Sequence, residues 1–378
     1  MFKKISKILL TSLIGLNFMG APLQGQAQDV QIDPSVDQRL SIMTIGELAT
    51  LDSMLYNDTP SSDMIGQIFE GLYRVSTGSE VELGQAEDVA ISEDGLTYTF
   101  TLRQGLTWSN GDPITAQDYV YTYQRLVDPS NANTSSSIEV FKNAAAIRNG
   151  EKDLEELGVT ASDDHTLVIE LEYPAPYLPK LLTGSRFMPV NQKVVEENGE
   201  AYATSVDTLA MNGPFLIQNW SGTELEWQLV KNPHYWDHEH VYLDEVSVSV
   251  VKETGTGADL FDAGELDYAI LNDQFVGQYQ GVDFFHQEPK ATIGHIQFNA
   301  TKEPTNNASL RRAITQAIDK DTYAKSVIQD GSNPLNGLVP AGFDVNEAGE
   351  DFREQAGDLL PYNPEAALAD WEQAKKEL

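Results

Sequence analysis

Two periodicities that cannot belong to one element follow each other within a short stretch of this chain. Thr97 to Leu102 (Thr-Tyr-Thr-Phe-Thr-Leu) alternates polar with bulky apolar side chains, which gives a strand with one buried and one wet face. After the tight-turn pair Asn110-Gly111, Thr115-Ala116-Gln117-Asp118 has the form of a capping box with Asp in place of Glu. Tyr119, Tyr123 and Leu126 then recur along one side of a helix until Asp128-Pro129 stops it. The mixture continues. Thr166 to Glu172, Phe215-Leu216-Ile217, Leu225 to Val230 and Val246 to Val251 read as strands, and Ala258 to Ala263 as a short helix ended by Gly264. Leu266 to Leu271 reads as a further short strand, while Leu310, Ala313, Ile314, Ala317 and Ile318 fall at helical spacing, with Gly331 closing a following turn. Strands and helices interleaved in this way, without a fixed-period repeat, favour an α/β or α+β architecture.

The sequence contains no cysteine, so disulfides, thiolate metal sites, cysteine nucleophiles and a lipid-modified cysteine are excluded. Burial alone must hold the fold. With 41% hydrophobic residues, 15 Tyr, 14 Phe and 5 Trp, the 378 residues can supply it. The 58 acidic against 24 basic side chains give a formal net charge of -34, a field that repels phosphate backbones and anionic lipid surfaces. Residues 1–27 have a basic start, an apolar run from Ile8 to Ala21 and small residues at Gly25 and Ala27, the parts of a secretory signal peptide cleaved near Ala27. That run falls short of the ~20 apolar residues of a membrane span, and no later segment supplies them.

Candidate chemistry is thin. There is no Gly-x-Ser-x-Gly elbow, P-loop or His-Glu-x-x-His. Gly255-Thr256-Gly257 lacks the third glycine of a dinucleotide fingerprint and reads as a loop. His234, His238 and His240 with Asp237 and Glu239 contain suitable metal donors, but their spacing matches no helical ligand pattern and equally suits a solvated loop. Glu155-Glu156, Asp163-Asp164 and Glu196-Glu197 are sequence neighbours, whereas acid/base pairs are assembled from separate elements. A binder is favoured over a catalyst, and no catalytic or metal-ligating residue is assigned.

Several motifs together resemble the oligopeptide-binding family of bacterial extracellular solute-binding proteins, family 5, which serve ABC peptide importers. They are Leu51-Asp52, Phe69-Glu70-Gly71-Leu72-Tyr73, the run from Ser92 to Phe100 continuing into Leu102-Arg103, and Trp108 to Asp118. Asn212-Gly213-Pro214-Phe215, Lys231-Asn232-Pro233-His234-Tyr235-Trp236-Asp237, Gly264-Glu265-Leu266-Asp267 and Arg311-Arg312-Ala313 through Ala317-Ile318-Asp319 follow. Most also read as scaffold: Trp108 packs a strand end before the Asn-Gly turn, and Asn232-Pro233 bends the chain between strands under Tyr235 and Trp236.

The resemblance implies an α/β, two-lobed periplasmic-binding-protein-like fold (type II, cluster C) with an extra domain. On that pattern residues 28–75 and 190–290 build lobe one, 76–189 the extra domain, and 291–378 an incomplete second lobe. It further implies a monomeric, secreted substrate-binding component, associated with the cell envelope through ABC permease subunits, that captures oligopeptides by their main chain and needs no cofactor. The peptide-pairing segment maps onto Asn57-Asp58-Thr59, and other cleft positions onto Gly184, Ile270 to Asn272 and His295. Asn57 to Thr59 before Pro60 also suits an ordinary turn, Asn272 a turn cap, and His295 a core histidine. Gly184 and Ser135 stand where relatives often carry larger side chains. Relatives also extend further, so a truncated chain with a labile second lobe, its Leu368, Trp371 and Leu378 face left uncovered, is one expectation. A same-fold binder of nickel, haem or sugar is another, and a secreted hydrolase acting through carboxylates a third.

Overall fold

The computed structural model describes residues 36–378, apart from 77–79, 132–135, 273, 288–291, 344–345 and 347. The signal segment and Ser135 lie outside the described residues, and Gln38–Leu378 forms one compact unit. Ten strands are described: β1 Arg39–Thr44, β2 Tyr73–Val75, β3 Val81–Leu83, β4 Ala86–Ile91, β5 Thr97–Leu102, β6 Val159–Asp163, β7 Thr166–Glu170, β8 Phe215–Gln218, β9 Glu226–Lys231 and β10 Glu245–Val250.

One sheet has the order β4-β5-β7-β6 and is antiparallel throughout. Tyr98 pairs with Ile169 and Phe100 with Leu167, so one face is apolar and buried. The Ala116–Val127 helix packs on it through Tyr119, Val120, Tyr123 and Leu126. Tyr123 meets Phe141 edge-on at 5.3 Å between ring centroids. The helix starts where the sequence places it, because the Thr115 N–H donates to Asp118 Oδ2 at 2.9 Å. Ahead of it, Gly111 takes φ +88°, where a side chain would be strained, and its N–H donates to the Trp108 carbonyl at 2.9 Å. Trp108 is fully buried beneath that turn.

The second sheet has the order β1-β10-β9-β8, with β1 parallel to β10 and the other pairs antiparallel. The Thr59–Ile68 helix buries Met64, Ile65 and Ile68, and Trp227 of β9 points its indole N–H at Met64 Sδ, 3.2 Å away. β2 and β3 form a separate hairpin.

Three local expectations are corrected. Leu266 to Leu271 is not a strand: it touches β1 by one bridge, Ile42 to Tyr268, because Asp267 turns its carboxylate to accept from the Ser41 N–H at 2.8 Å. Gly255-Thr256-Gly257 is not a loop but the start of the Thr254–Ala263 helix. There a Cβ on Gly255 would collide with the Phe275 ring and one on Gly257 with Met43 Sδ, so absent side chains let the helix sit close to β1. The turn after the Ala308–Ala317 helix is closed by Gln329 at φ +56°, two residues before Gly331. At the end of the chain, Asn363 caps the Pro364–Glu377 helix as its Asn-Pro start predicts. Its buried face, however, carries Ala367 and Ala374, which sit against the Ala308–Ala317 helix, while Leu368, Trp371 and Leu378 are exposed.

Candidate functional site

β1 and β10 run parallel, so their carboxyl ends share one edge of the sheet, where the Val251 N–H donates to the Thr44 carbonyl at 2.8 Å. In open α/β sheets, ligands bind in the crevice outside such ends. The segments leaving this edge are tied together. Lys252 pairs with Glu47 at 2.5 Å, and a Cβ on Gly46 would lie 3.2 Å from the Pro60 ring. Ser61 Oγ accepts from the Ala49 N–H at 3.0 Å and its own N–H donates to Asp58 Oδ1 at 2.8 Å. Asn57-Asp58-Thr59 is thus held at this edge as the entry to a helix, and the turn expected there is an N-cap. Past the level of β1's end, Asn272 Oδ1 accepts from the hydroxyl of Thr254, the first residue of the helix that follows β10, at 2.6 Å. The structure therefore brings Asn57 to Thr59 and Ile270 to Asn272 to the same sheet edge.

The main chain at Asn57 to Thr59 is available for pairing. Asp58 is extended, with φ -128° and ψ 155°, and Asn57 and Thr59 are exposed. The N–H groups of all three have no partner among the described residues. Gly184 is also exposed, but its N–H donates to Leu181 and its carbonyl accepts from Phe187, so its main chain is engaged in its own turn. Two residues on, Arg186 reaches the segment before Asn57, donating to the carbonyls of Met54 at 2.7 Å and Tyr56 at 2.9 Å. His295 is exposed on an irregular run and is not a core histidine.

The motifs that carry the resemblance meet elsewhere, in a buried polar network. Glu70 is almost fully buried and accepts from the Tyr235 hydroxyl and, at 2.6 Å, from the Trp236 indole N–H. Asn212 closes on its backbone, accepting from the Glu70 N–H at 3.1 Å and donating to its carbonyl at 2.9 Å. Arg74 bonds Asp237 at 2.7 Å and Tyr235 at 3.1 Å, and Arg103 lies 3.7 Å from the centroid of the Trp236 ring. Burial pushes the Glu70 carboxyl above its usual range, with the Tyr235 and Trp236 hydrogen bonds and the Arg74 charge opposing it. Burial pushes Asp237 up too, yet hydrogen bonds from His240 and Arg74 outweigh it and hold that carboxyl below its usual range. Asp237 is therefore committed to Arg74 and His240, and among the described residues no cluster of three metal-ligating side chains forms. Leu51-Asp52 is structural as well: buried Asp52 takes both guanidinium nitrogens of Arg125, at 3.1 and 2.7 Å. A lone acid inside the apolar run Phe69 to Tyr73 is the sequence signal for such a site, since a buried carboxylate demands partners. Its partners, distant in sequence, were not legible.

Residues 80–378 match the profile of the bacterial extracellular solute-binding proteins, family 5 Middle. The chain belongs to this family. It is 33% identical to the oligopeptide-binding protein OppA of Bacillus subtilis over 91% of this chain and 65% of that protein. With the dipeptide-binding protein DppE of the same organism it shares 32% identity over 99% of this chain and 70% of the relative. The structure of Listeria monocytogenes OppA bound to peptide superposes with a TM-score of 0.83 at 36% identity, covering 91% of this chain and 69% of that one. The chain thus has the α/β fold of the two-lobed binding proteins and spans just under two thirds of the Bacillus OppA length. No helix among its described residues is long and apolar enough to cross a membrane. Outside the sheet edge, a concavity of about 570 Å³ lies between the starts of the Ala116–Val127 and Gln192–Asn198 helices, lined by Asp118, Asn191 and Glu196 among others. It shares no residue with that edge.

Proposed function

We propose that this family 5 protein is the exported, substrate-binding component of an ABC importer, and that it captures oligopeptides by pairing with their main chain and catalyses no reaction. Residues 28–75 and 190–290 then form the lobe that carries the sheet edge, 76–189 an inserted domain, and 291–378 the part of a second lobe facing it. Asn57 to Thr59, Ile270 to Asn272 and His295 contact peptide, while Gly184 shapes the cleft wall from the insert. The protein works outside the cytoplasmic membrane and docks on permease subunits.

The observation that carries this reading is the stretch Asn57 to Thr59 at the carboxyl edge of a parallel strand pair, exposed at Asn57 and Thr59 and extended at Asp58, whose three consecutive N–H groups have no partner among the described residues. Main-chain pairing of this kind gives affinity without reading side chains, so broad sequence tolerance follows. Calorimetry on the parent and Thr59→Pro tests it. Thr59 is the first residue of its helix, where proline is accommodated, so the substitution removes one N–H and leaves the helix intact. All peptides should weaken alike. Loss confined to peptides with particular side chains would contradict main-chain recognition. A thermal-shift screen adds the class of ligand: peptides should raise the melting temperature, and nickel, haem or sugars should not.

A further inference from the structure

We propose that Arg186 is a positioning residue for peptide capture, through which the inserted 76–189 segment sets the orientation of the main chain at Asn57. The inference rests on the reading of Asn57 to Thr59 as the peptide-pairing segment.

Two arginines grip the loop from β1 to the Thr59–Ile68 helix. Arg125 clamps buried Asp52 through its carboxylate, and the Leu51 N–H donates to the Ala203 carbonyl at 3.2 Å, so the start of the loop is part of the core. Arg186 acts further along and on backbone: Nη1 donates to the Met54 carbonyl at 2.7 Å and Nη2 to the Tyr56 carbonyl at 2.9 Å. Its guanidinium carbon also sits 4.8 Å from the centroid of the Tyr56 ring. The carbonyl of Tyr56 and the N–H of Asn57 belong to one planar trans peptide unit, so fixing the oxygen toward Arg186 fixes that N–H in the opposite direction. Asp58, extended and half-buried, continues the same line, and its side chain is fixed by the Ser61 N–H. Without Arg186 the Tyr56–Asn57 peptide plane is free to rotate between the Asp52 anchor and the helix cap. An unpaired N–H aimed in advance costs less entropy to engage than one that must first be ordered. Lysine cannot replace this residue: it carries the charge but lacks the planar fork that meets two carbonyls and a ring together.

The test compares the parent with R186A and R186K, using three synthetic pentapeptides: all-alanine, and variants with a central lysine or phenylalanine. R186A should bind all three about tenfold more weakly, the size of one charge-assisted hydrogen bond expressed as affinity, mostly through faster dissociation. R186K should fall between. The melting temperatures of the free proteins should stay within about 2 °C of the parent, because the substitution removes hydrogen bonds to two loop carbonyls and leaves the buried Met54 side chain in place. In the free R186A protein, amide exchange should accelerate at Tyr56 to Asp58 and nowhere in the strands. Unchanged affinity in R186A overturns the inference, as does a loss limited to one peptide, or a loss matched by accelerated exchange throughout the sheet. If the parent binds none of the three peptides, the proposed function fails and this inference with it.

Discussion

Residues 38 to about 270 and residues 292 to 378 draw on the same alphabet and bury it differently. The first region holds one continuous cluster from Leu48 to Val248 in which Trp108, Trp227, Tyr119, Tyr123, Phe69, Phe100 and Phe141 are enclosed. In the second, the buried apolar residues among those described are Leu310, Ala313, Ala324, Ala367 and Ala374. Several of its larger apolar side chains face outward, Leu338 being 70% and Val327 63% exposed. Each fully enclosed aromatic removes 150–250 Å² from water, at roughly 25 cal/mol per Å². Alanine removes a small fraction of that. Polar contacts carry the helix pair of the second region instead: Asp370 accepts from Arg312 at 2.7 Å and from Gln316 at 2.8 Å. Hydrophobic content alone therefore does not locate stability; enclosure by facing elements does.

The largest effect that would sharpen this contrast is Trp108→Ala. Trp108 fills the space under the Asn110-Gly111 turn and has no exposed surface, so truncation leaves a cavity and should cost about 3–5 kcal/mol in denaturant unfolding of the first region. A change below about 1 kcal/mol would mean that the turn collapses onto the site and that this core is less rigid than its packing indicates.

The pH dependence should have opposite signs in the two regions. Glu70 is pushed above its ordinary value of 4.5 by burial, so its contribution is fully present below that value and is lost as pH rises through the raised folded value. Asp370 is held below its ordinary value of 3.8 by its hydrogen bond from Arg312, so its contribution is present above that value and is lost as pH falls through the lowered one. Going from neutral to acidic solution, the parent should gain stability relative to Glu70→Gln in the first region. In the second it should lose stability relative to Asp370→Asn. Melting curves and hydrogen exchange at several pH values separate the two, and slopes of the same sign for both substitutions would break the comparison.

The first region was also the more legible one. Its strands alternate because one face is covered, and its helix announces itself through Thr115 and Asp118, signals that are local in sequence. The pairing of β1 with β10 was not legible, since Arg39 to Thr44 carries no turn signal pointing to a partner that lies about 200 residues on. Nor were the Glu70 network and the two arginine clamps, whose members meet only after the sheets form. Gly255 and Gly257 misled for a related reason: glycine costs a helix about 1 kcal/mol per residue, but close packing against Met43 and Phe275 overrides that local preference. Of the candidate site, the segments Asn57 to Thr59 and Ile270 to Asn272 were legible through the family resemblance. That Arg186 connects to the first of them could not be read from spacing.

In the second region an added side chain should matter more than a removed one. Ala374 is fully buried where the Pro364–Glu377 helix crosses Ala308–Ala317. Ala374→Leu would force the helices apart and should cost about 1–3 kcal/mol, with faster exchange along both. Tolerance of leucine there would show that the seam is loosely packed.

The smallest effect is expected beside that seam, where size and burial are inverted. Leu368 directly follows buried Ala367 on the same helix, yet it is 61% exposed. Alanine and leucine have nearly equal helix propensity, and an exposed side chain has little transfer free energy to lose. Leu368→Ala should therefore shift stability by no more than about 0.5 kcal/mol, measured as local exchange protection of the Pro364–Glu377 amides. Because sequence periodicity places Leu368 with Trp371 on the face to be buried, the same substitution discriminates sharply between two packings. A cost of about 2 kcal/mol or more would mean that this face is covered in solution, and that the alanine seam is not what holds the helix pair together.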